Sequence, residues 1–262
     1  MSIDRRALLE ALIRPVREAG EEILAVYATD FAVRVKDDAS PVTAADERAE
    51  AVLIPALARL MPGVPVVAEE AIAAGCGARV GSRFWLIDPL DGTREFISRN
   101  GEFTVNVALI EDGRPTLGLV LAPALGRLFA GAQNVGAFVE DAHGRRTIAC
   151  REPPPQGLTV LTSRSHGDAA VLDAFLAGRK VAALRRAGSS LKLCLIAAGE
   201  ADLYPRLART MEWDIAAGDA VLRAAGGMVT TLAGAPLTYG KPGFENPHFV
   251  AAAGRWQPSV HE

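Results

Sequence analysis

Carboxylates cluster at three places in this 262-residue chain. The apolar run at 64–68 ends in Glu69-Glu70, and Phe84-Trp85-Leu86-Ile87 ends in Asp88-Pro89-Leu90-Asp91-Gly92-Thr93. Far downstream, Trp213-Asp214 precedes a helical pattern. Each motif alone has an ordinary reading: a turn, a solvated acidic pair, a core tryptophan beside a helix cap. Their joint appearance points elsewhere. Acids crowded into one pocket repel one another and raise each other's pKa unless cations neutralise them. Hard divalent ions with oxygen ligands fit that role, and Mg²⁺ takes a few carboxylates together with water and phosphate. The main-chain carbonyl of Leu90 is a further candidate oxygen. No His or Cys cluster offers a zinc site. Gly92-Thr93 opens a short helix whose N–H groups can cradle a phosphate. Carboxylates beside such a cradle imply metal between them, and hence phosphoester hydrolysis.

The elements that must position these groups follow from periodicity. Residues 4–28 read as an amphipathic helix that Pro15 should kink or split, with Leu8, Leu12 and Val16 on one face. A short strand fits 32–35, followed by a turn at 37–41. Thr43-Ala44-Ala45-Asp46 resembles a capping box that opens a second helix, which Met61-Pro62-Gly63 stops. Strands are expected at 64–68 and 84–87, the latter stopping at Asp88. A hairpin spans 103–110 and 116–122, and strands follow at 127–132 and 137–139. The Pro-rich stretch 152–157 marks a boundary, giving subdomains 1–150 and 151–262. Beyond it, strands (158–162, 181–184, 201–204, 228–231) alternate with helices (168–177, 190–198, 214–225). The expected class is therefore α/β (α+β), with an antiparallel sheet in the first half and a mixed, helix-covered sheet in the second.

Composition excludes several classes of function. Lys and Arg number 28 against 31 Asp and Glu, with no basic block, which argues against a nucleic-acid polymer or anionic lipid as partner. Apolar stretches are too short for a transmembrane segment, and no secretory leader is read at the start. Cys76, Cys150 and Cys194 make neither a CxxC pair nor an even disulfide framework, so a cytoplasmic setting is expected. The sequence leaves open both monomer or homodimer and peripheral association with the cytoplasmic side of the inner membrane.

Trp85-Leu86-Ile87-Asp88-Pro89-Leu90-Asp91-Gly92-Thr93 and Trp213-Asp214-Ile215-Ala216-Ala217-Gly218 resemble the two signatures of the inositol monophosphatase superfamily of Mg²⁺-dependent phosphatases. Glu69-Glu70, 19 residues before Asp88, occupies the place of that family's acidic pair. The resemblance implies a layered αβαβα sandwich and two or three Mg²⁺ ions. Glu69, Asp88 and the Leu90 carbonyl would hold the first ion, and Asp88, Asp91 and Asp214 the second. A third, weaker ion would lie near Asp46 and Glu69. Thr93, hydrogen-bonded to Asp46, would orient and deprotonate the attacking water, which Glu69 helps to place. The N–H groups of Gly92 and Thr93 would bind the scissile phosphate.

Within the superfamily, the stretches Ser163-Arg164-Ser165-His166, Gly188-Ser189-Ser190-Leu191-Lys192 and 200–206 resemble the 3′(2′),5′-bisphosphate nucleotidases. The implied substrate is a small phosphorylated nucleotide, adenosine 3′,5′-bisphosphate, a by-product of sulfate assimilation, or its sulfated precursor. His166, Ser189, Lys192 and Arg206 would contact the ribose or the 5′-phosphate, with Asp214 also facing substrate. An inositol or sugar monophosphatase would share every metal ligand, but its substrate gives Lys192 and Arg206 no second anion. A non-catalytic sensor would be marked by loss of an acid or of Thr93, and all are present.

Overall fold

Local chemistry sets the first helix. Asp4 caps it by accepting from the Ala7 N–H at 3.0 Å, and the residues from Arg5 to Tyr27 form α1, whose apolar face is buried from Leu8 through Val26. In this computed structural model, residues 3–31, 33–35, 41–69, 72, 80–164 and 169–254 are described. The order continues with β1 (Arg34–Val35), β2 (Pro41–Val42), α2 (Ala44–Leu60), β3 (Val66–Ala68), β4 (Arg83–Asp91), α3 (Thr93–Ile97), β5 (Thr104–Glu111) and β6 (Arg114–Ala122). Then come β7 (Arg127–Ala132), β8 (Gly136–Asp141), β9 (Gly144–Ile148), β10 (Leu158–Ser163), α4 (Ala169–Leu176), β11 (Val181–Ala187) and α5 (Leu191–Ala197). The remainder is β12 (Leu203–Arg206), α6 (Ala216–Ala224), β13 (Met228–Thr231) and β14 (Phe249–Ala252).

Seven strands form one sheet in the order β3-β4-β5-β6-β7-β8-β9, antiparallel throughout except for the parallel pair β3–β4. Five form the other, in the order β11-β10-β12-β14-β13, with β10 parallel to both neighbours and the rest antiparallel. α1 and α2 cover one face of the seven-stranded sheet around Trp85, Ile87, Val105 and Val107. Its other face packs on α5 and α6, which also meet the five-stranded sheet in a core that draws on both halves of the chain. α4 covers the far face of that second sheet through Leu172, Phe175 and Leu176. The layers are therefore α, β, α, β, α, as expected.

Pro15 does not split α1, which is continuous for 23 residues. The helix is held by packing along its whole buried face, which offsets the missing N–H bond. The Thr43–Asp46 capping box is present at the head of α2. Asp112 and Gly113, both at positive φ, make the tight turn of the β5–β6 hairpin. Three strands escaped the sequence reading. β2 begins at Pro41, the last residue of the expected 37–41 turn, the rest of which lies outside the described residues. β9 is a polar, mostly exposed edge strand without apolar alternation, and β14 follows a long irregular stretch. β4 runs on through Asp88 to Asp91, where a strand end was expected at Asp88.

α6 sits unusually close to the seven-stranded sheet, because Gly118 on β6 lets it. A Cβ at Gly118 would lie 2.3 Å from the Ala217 carbonyl oxygen and 2.8 Å from the Ala220 Cβ. Gly118→Ala is therefore expected to cost about 1–3 kcal/mol by overpacking, read as a lower melting temperature. An unchanged melting temperature would show that α6 can retreat freely.

Candidate active site

Asp88 and Asp91 are three residues apart, an odd spacing that would put them on opposite faces of a regular strand. The ladder resolves this with an extra residue: Asp88 lies opposite Asn106, Asp91 opposite Thr104, and the register shifts between them. Leu90 accordingly joins the α1/α2 side of the sheet with Trp85 and Ile87, while both acids face the α5/α6 side. Pro89, which has no N–H to give, sits within this bulge. The device that brings the two carboxylates to one side is a β-bulge.

From the same side, the end of β3 brings Glu69 and the approach to α6 brings Asp214. One carboxylate oxygen from each of Glu69, Asp88 and Asp214 lies within 4.8 Å of the others, with Asp88 buried and the other two half-buried. These acids floor a cleft of about 620 Å³, lined also by Leu90, Asp91, Gly92, Thr93, Ser189, Lys192 and Arg206. Asp88 accepts from the Leu90 N–H at 3.0 Å, and Asp214 from the Met211 N–H at 2.8 Å. Asp91 accepts from the Ser190 N–H at 2.5 Å.

Burial pushes the Asp88 carboxyl well above the usual range, and repulsion by Glu69, Asp91, Asp214 and Asp46 pushes it further. Asp214 is raised in the same way, by burial first and by Asp91 and Glu69 after it. Burial lifts Asp91 to about 6, against the pull of Lys192 and the Ser190 N–H. A set of oxygen donors in which three acids resist ionisation suits a hard divalent cation, whose charge would reverse the penalty. The residues present fit Mg²⁺.

Gly92 heads α3 in the left-handed conformation at φ 87° and, as the cap residue, has no side chain to bond the N–H groups behind it. The Thr93 hydroxyl donates its one proton to the Leu90 carbonyl at 3.3 Å. Asp46 is engaged elsewhere, accepting from the Thr43 N–H at 2.8 Å and hydroxyl at 3.0 Å. The expected Thr93–Asp46 hydrogen bond is thus replaced by two separate ones, because the capping box draws Asp46 to the head of α2. Asp46 still lies close enough for its charge to act on Asp88.

Of the four expected nucleotide contacts, Ser189, Lys192 and Arg206 line the cleft, while His166 falls outside the described residues, as does Glu70 of the acidic pair. Ser189 takes φ 43°, and its hydroxyl accepts from the Leu191 N–H at 3.4 Å, a local turn bond. Lys192 is buried, with its ammonium donating to the Ser189 carbonyl at 2.6 Å and the Ala187 carbonyl at 3.3 Å, above the Tyr204 ring. Burial pushes its pKa down to about 8, and Asp91 holds it from falling further. It gives the cleft floor positive charge and shapes the 187–190 loop. Arg206 donates to the Arg209 carbonyl at 2.6 Å and to Ser163 at 3.4 Å. Sequence reasoning missed Thr104, Asn106 and Ser190, buried polar groups around Asp91. The signal was available for one of them, since Asn106 interrupts an otherwise apolar strand.

No helix among the described residues is long and apolar enough to cross a membrane. The inositol monophosphatase family model matches residues 4–261. Over 245 residues the chain is 44% identical to the 3′(2′),5′-bisphosphate nucleotidase CysQ of Escherichia coli (strain K12), covering 92% of this chain and 98% of that protein. The Buchnera aphidicola protein of the same name is 37% identical over 256 residues, covering 95% and 94%. Among solved structures, CysQ from Bacteroides thetaiotaomicron is similar at a TM-score of 0.79 and 33% identity, covering 95% of this chain and 97% of that one. Inositol monophosphatase from Anabaena is similar at 0.74 and 25%, covering 96% and 92%.

Proposed function

This chain belongs to the inositol monophosphatase family, and from that premise we propose that it is a Mg²⁺-dependent phosphatase removing the 3′-phosphate of adenosine 3′,5′-bisphosphate. The sulfated analogue is a second substrate in this reading. One observation carries the reaction class: acids from β4, from the end of β3 and from the approach to α6 converge beside a glycine-headed helix turn. The names of the relatives carry the nucleotide.

Glu69, Asp88, Asp91, Asp214 and the Leu90 carbonyl are the groups that would hold two or three Mg²⁺ ions. When bound, the ions supply Lewis-acid stabilisation of phosphoryl charge and make water more acidic. The N–H groups at Gly92 and Thr93 receive the scissile phosphate, with the positive end of the turn behind them. Because the Thr93 hydroxyl gives its proton to Leu90, its lone pairs are free to accept from a water and so orient it. Glu69 places that water, and Asp46 acts from behind through its charge. Arg206 meets the second phosphate with a planar fork and Lys192 with a fixed positive field.

The test is phosphate release from adenosine 3′,5′-bisphosphate and from inositol 1-phosphate, with Mg²⁺ and with chelator. The bisphosphate is expected to be preferred by at least about tenfold in kcat/KM, the worth of one charged hydrogen bond to the second phosphate. Equal turnover of both would instead favour an inositol or sugar monophosphatase. Turnover that persists in chelator would remove the metal from the mechanism.

A further inference from the structure

Thr104 and Asn106 on β5 lie directly opposite Asp91 and Asp88, and both are fully buried, as is Ser190 just ahead of α5. Their hydrogen bonds form one network. The Ser190 hydroxyl donates to Asn106 Oδ1 at 2.6 Å, so the 2.8 Å contact between the Thr104 and Ser190 hydroxyls takes its proton from Thr104. The Ser190 N–H donates to Asp91 Oδ2 at 2.5 Å and Asn106 Nδ2 to that same oxygen at 3.5 Å, while the Thr104 hydroxyl, its proton given to Ser190, lies 3.5 Å from it. Among the described contacts, every bond to the Asp91 carboxylate lands on Oδ2 and none on Oδ1.

We infer that Asn106 and Ser190, with Thr104 acting through the Ser190 hydroxyl, are positioning residues that anchor one oxygen of Asp91 so that the other is presented to a cation in the cleft as a single ligand atom. They touch neither phosphate nor attacking water. A buried polar group without partners is costly, so three of them tolerated beside one acid need this mutual satisfaction. Groups that orient a ligating carboxylate set its rotamer and its basicity, and thereby the affinity of the site. The inference rests on the reading of Asp91 as a cation ligand.

The isosteric pair Thr104→Val and Thr104→Ser tests it. The readouts are the Mg²⁺ concentration giving half the rise in melting temperature, the concentration giving half-maximal kcat, and the melting temperature in chelator. Thr104→Val is expected to raise both half-saturating concentrations about tenfold or more, with kcat at saturating Mg²⁺ within about threefold, whereas Thr104→Ser stays within about twofold. Equal half-saturation for the two variants overturns the proposal. Should the valine variant fail to fold, Ser190→Ala, which keeps the N–H and loses the hydroxyl, is expected to shift in the same direction; no shift overturns the proposal equally. Asp91→Asn separates the two levels. If it leaves the Mg²⁺ response intact, Asp91 is no ligand, and the positioning role falls with it. If it abolishes the response while Thr104→Val changes nothing, the positioning role alone fails.

Discussion

Asp88→Asn is expected to raise the melting temperature of the metal-free protein while reducing turnover at least about 1,000-fold, the several kcal/mol of transition-state stabilisation that a bound cation supplies. The two effects have one cause. Burial and four neighbouring acids resist the charge on Asp88, so the amide relieves a penalty that the carboxylate carries whenever no cation is present. The gain should be about 3 °C or more, since each kcal/mol moves the melting point of a chain of this size by about 2–4 °C. The same substitution should abolish stabilisation by added Mg²⁺. A variant that melts lower than the parent in chelator would contradict this account, because it would mean that the carboxylate stabilises the empty site.

Without metal, the protein is expected to lose stability as pH rises from about 4 through 6 and on above it, and Mg²⁺ should restore it most at the alkaline end. The sign follows from Asp91. Its carboxyl sits at about 6 in the fold and near 3.8 when unfolded, so between those values the folded state holds a proton that the unfolded state releases. The stabilisation is fully present below the unfolded value and is lost as pH rises through the folded one. For Asp91 alone it is on the order of 3 kcal/mol. Asp88 and Asp214 shift in the same direction and extend the window upward. Mg²⁺ at a hundredfold excess over its Kd contributes about 2.7 kcal/mol to the folded state. Melting curves in chelator and in Mg²⁺ across this range check the point; an Mg²⁺ increment equal at pH 5.5 and pH 8 would sink it.

What could be read from the sequence was what is local. The capping box at Thr43 needs only four consecutive residues, and Asp112-Gly113 announces its turn by type alone. The carboxylates at Asp88, Asp91 and Asp214 stood out because each lies beside apolar residues where charge is costly. What stayed hidden depends on a partner distant in sequence. The bulge in β4 is a matter of register against β5, and the bond from the Ser190 N–H to Asp91 spans 99 positions. Lys192 reads from the sequence as a contact to the ribose or 5′-phosphate; the two carbonyls that hold it are supplied by a loop conformation, with Ser189 at positive φ, that no periodicity signals. Likewise Thr93 has one proton and two candidate acceptors, and only the folded geometry shows that it goes to Leu90.

The odd spacing of Asp88 and Asp91 makes the irregular ladder, more than any residue type, what keeps both acids on one side of β4. Were the ribbon to run in plain alternation at its present length, Asp91 would swing toward the α1/α2 layer, stranding an anion beside Trp85 and Ile87. Excising Pro89 or Leu90 would leave both acids on one side with no bulge at all, since an even spacing needs none.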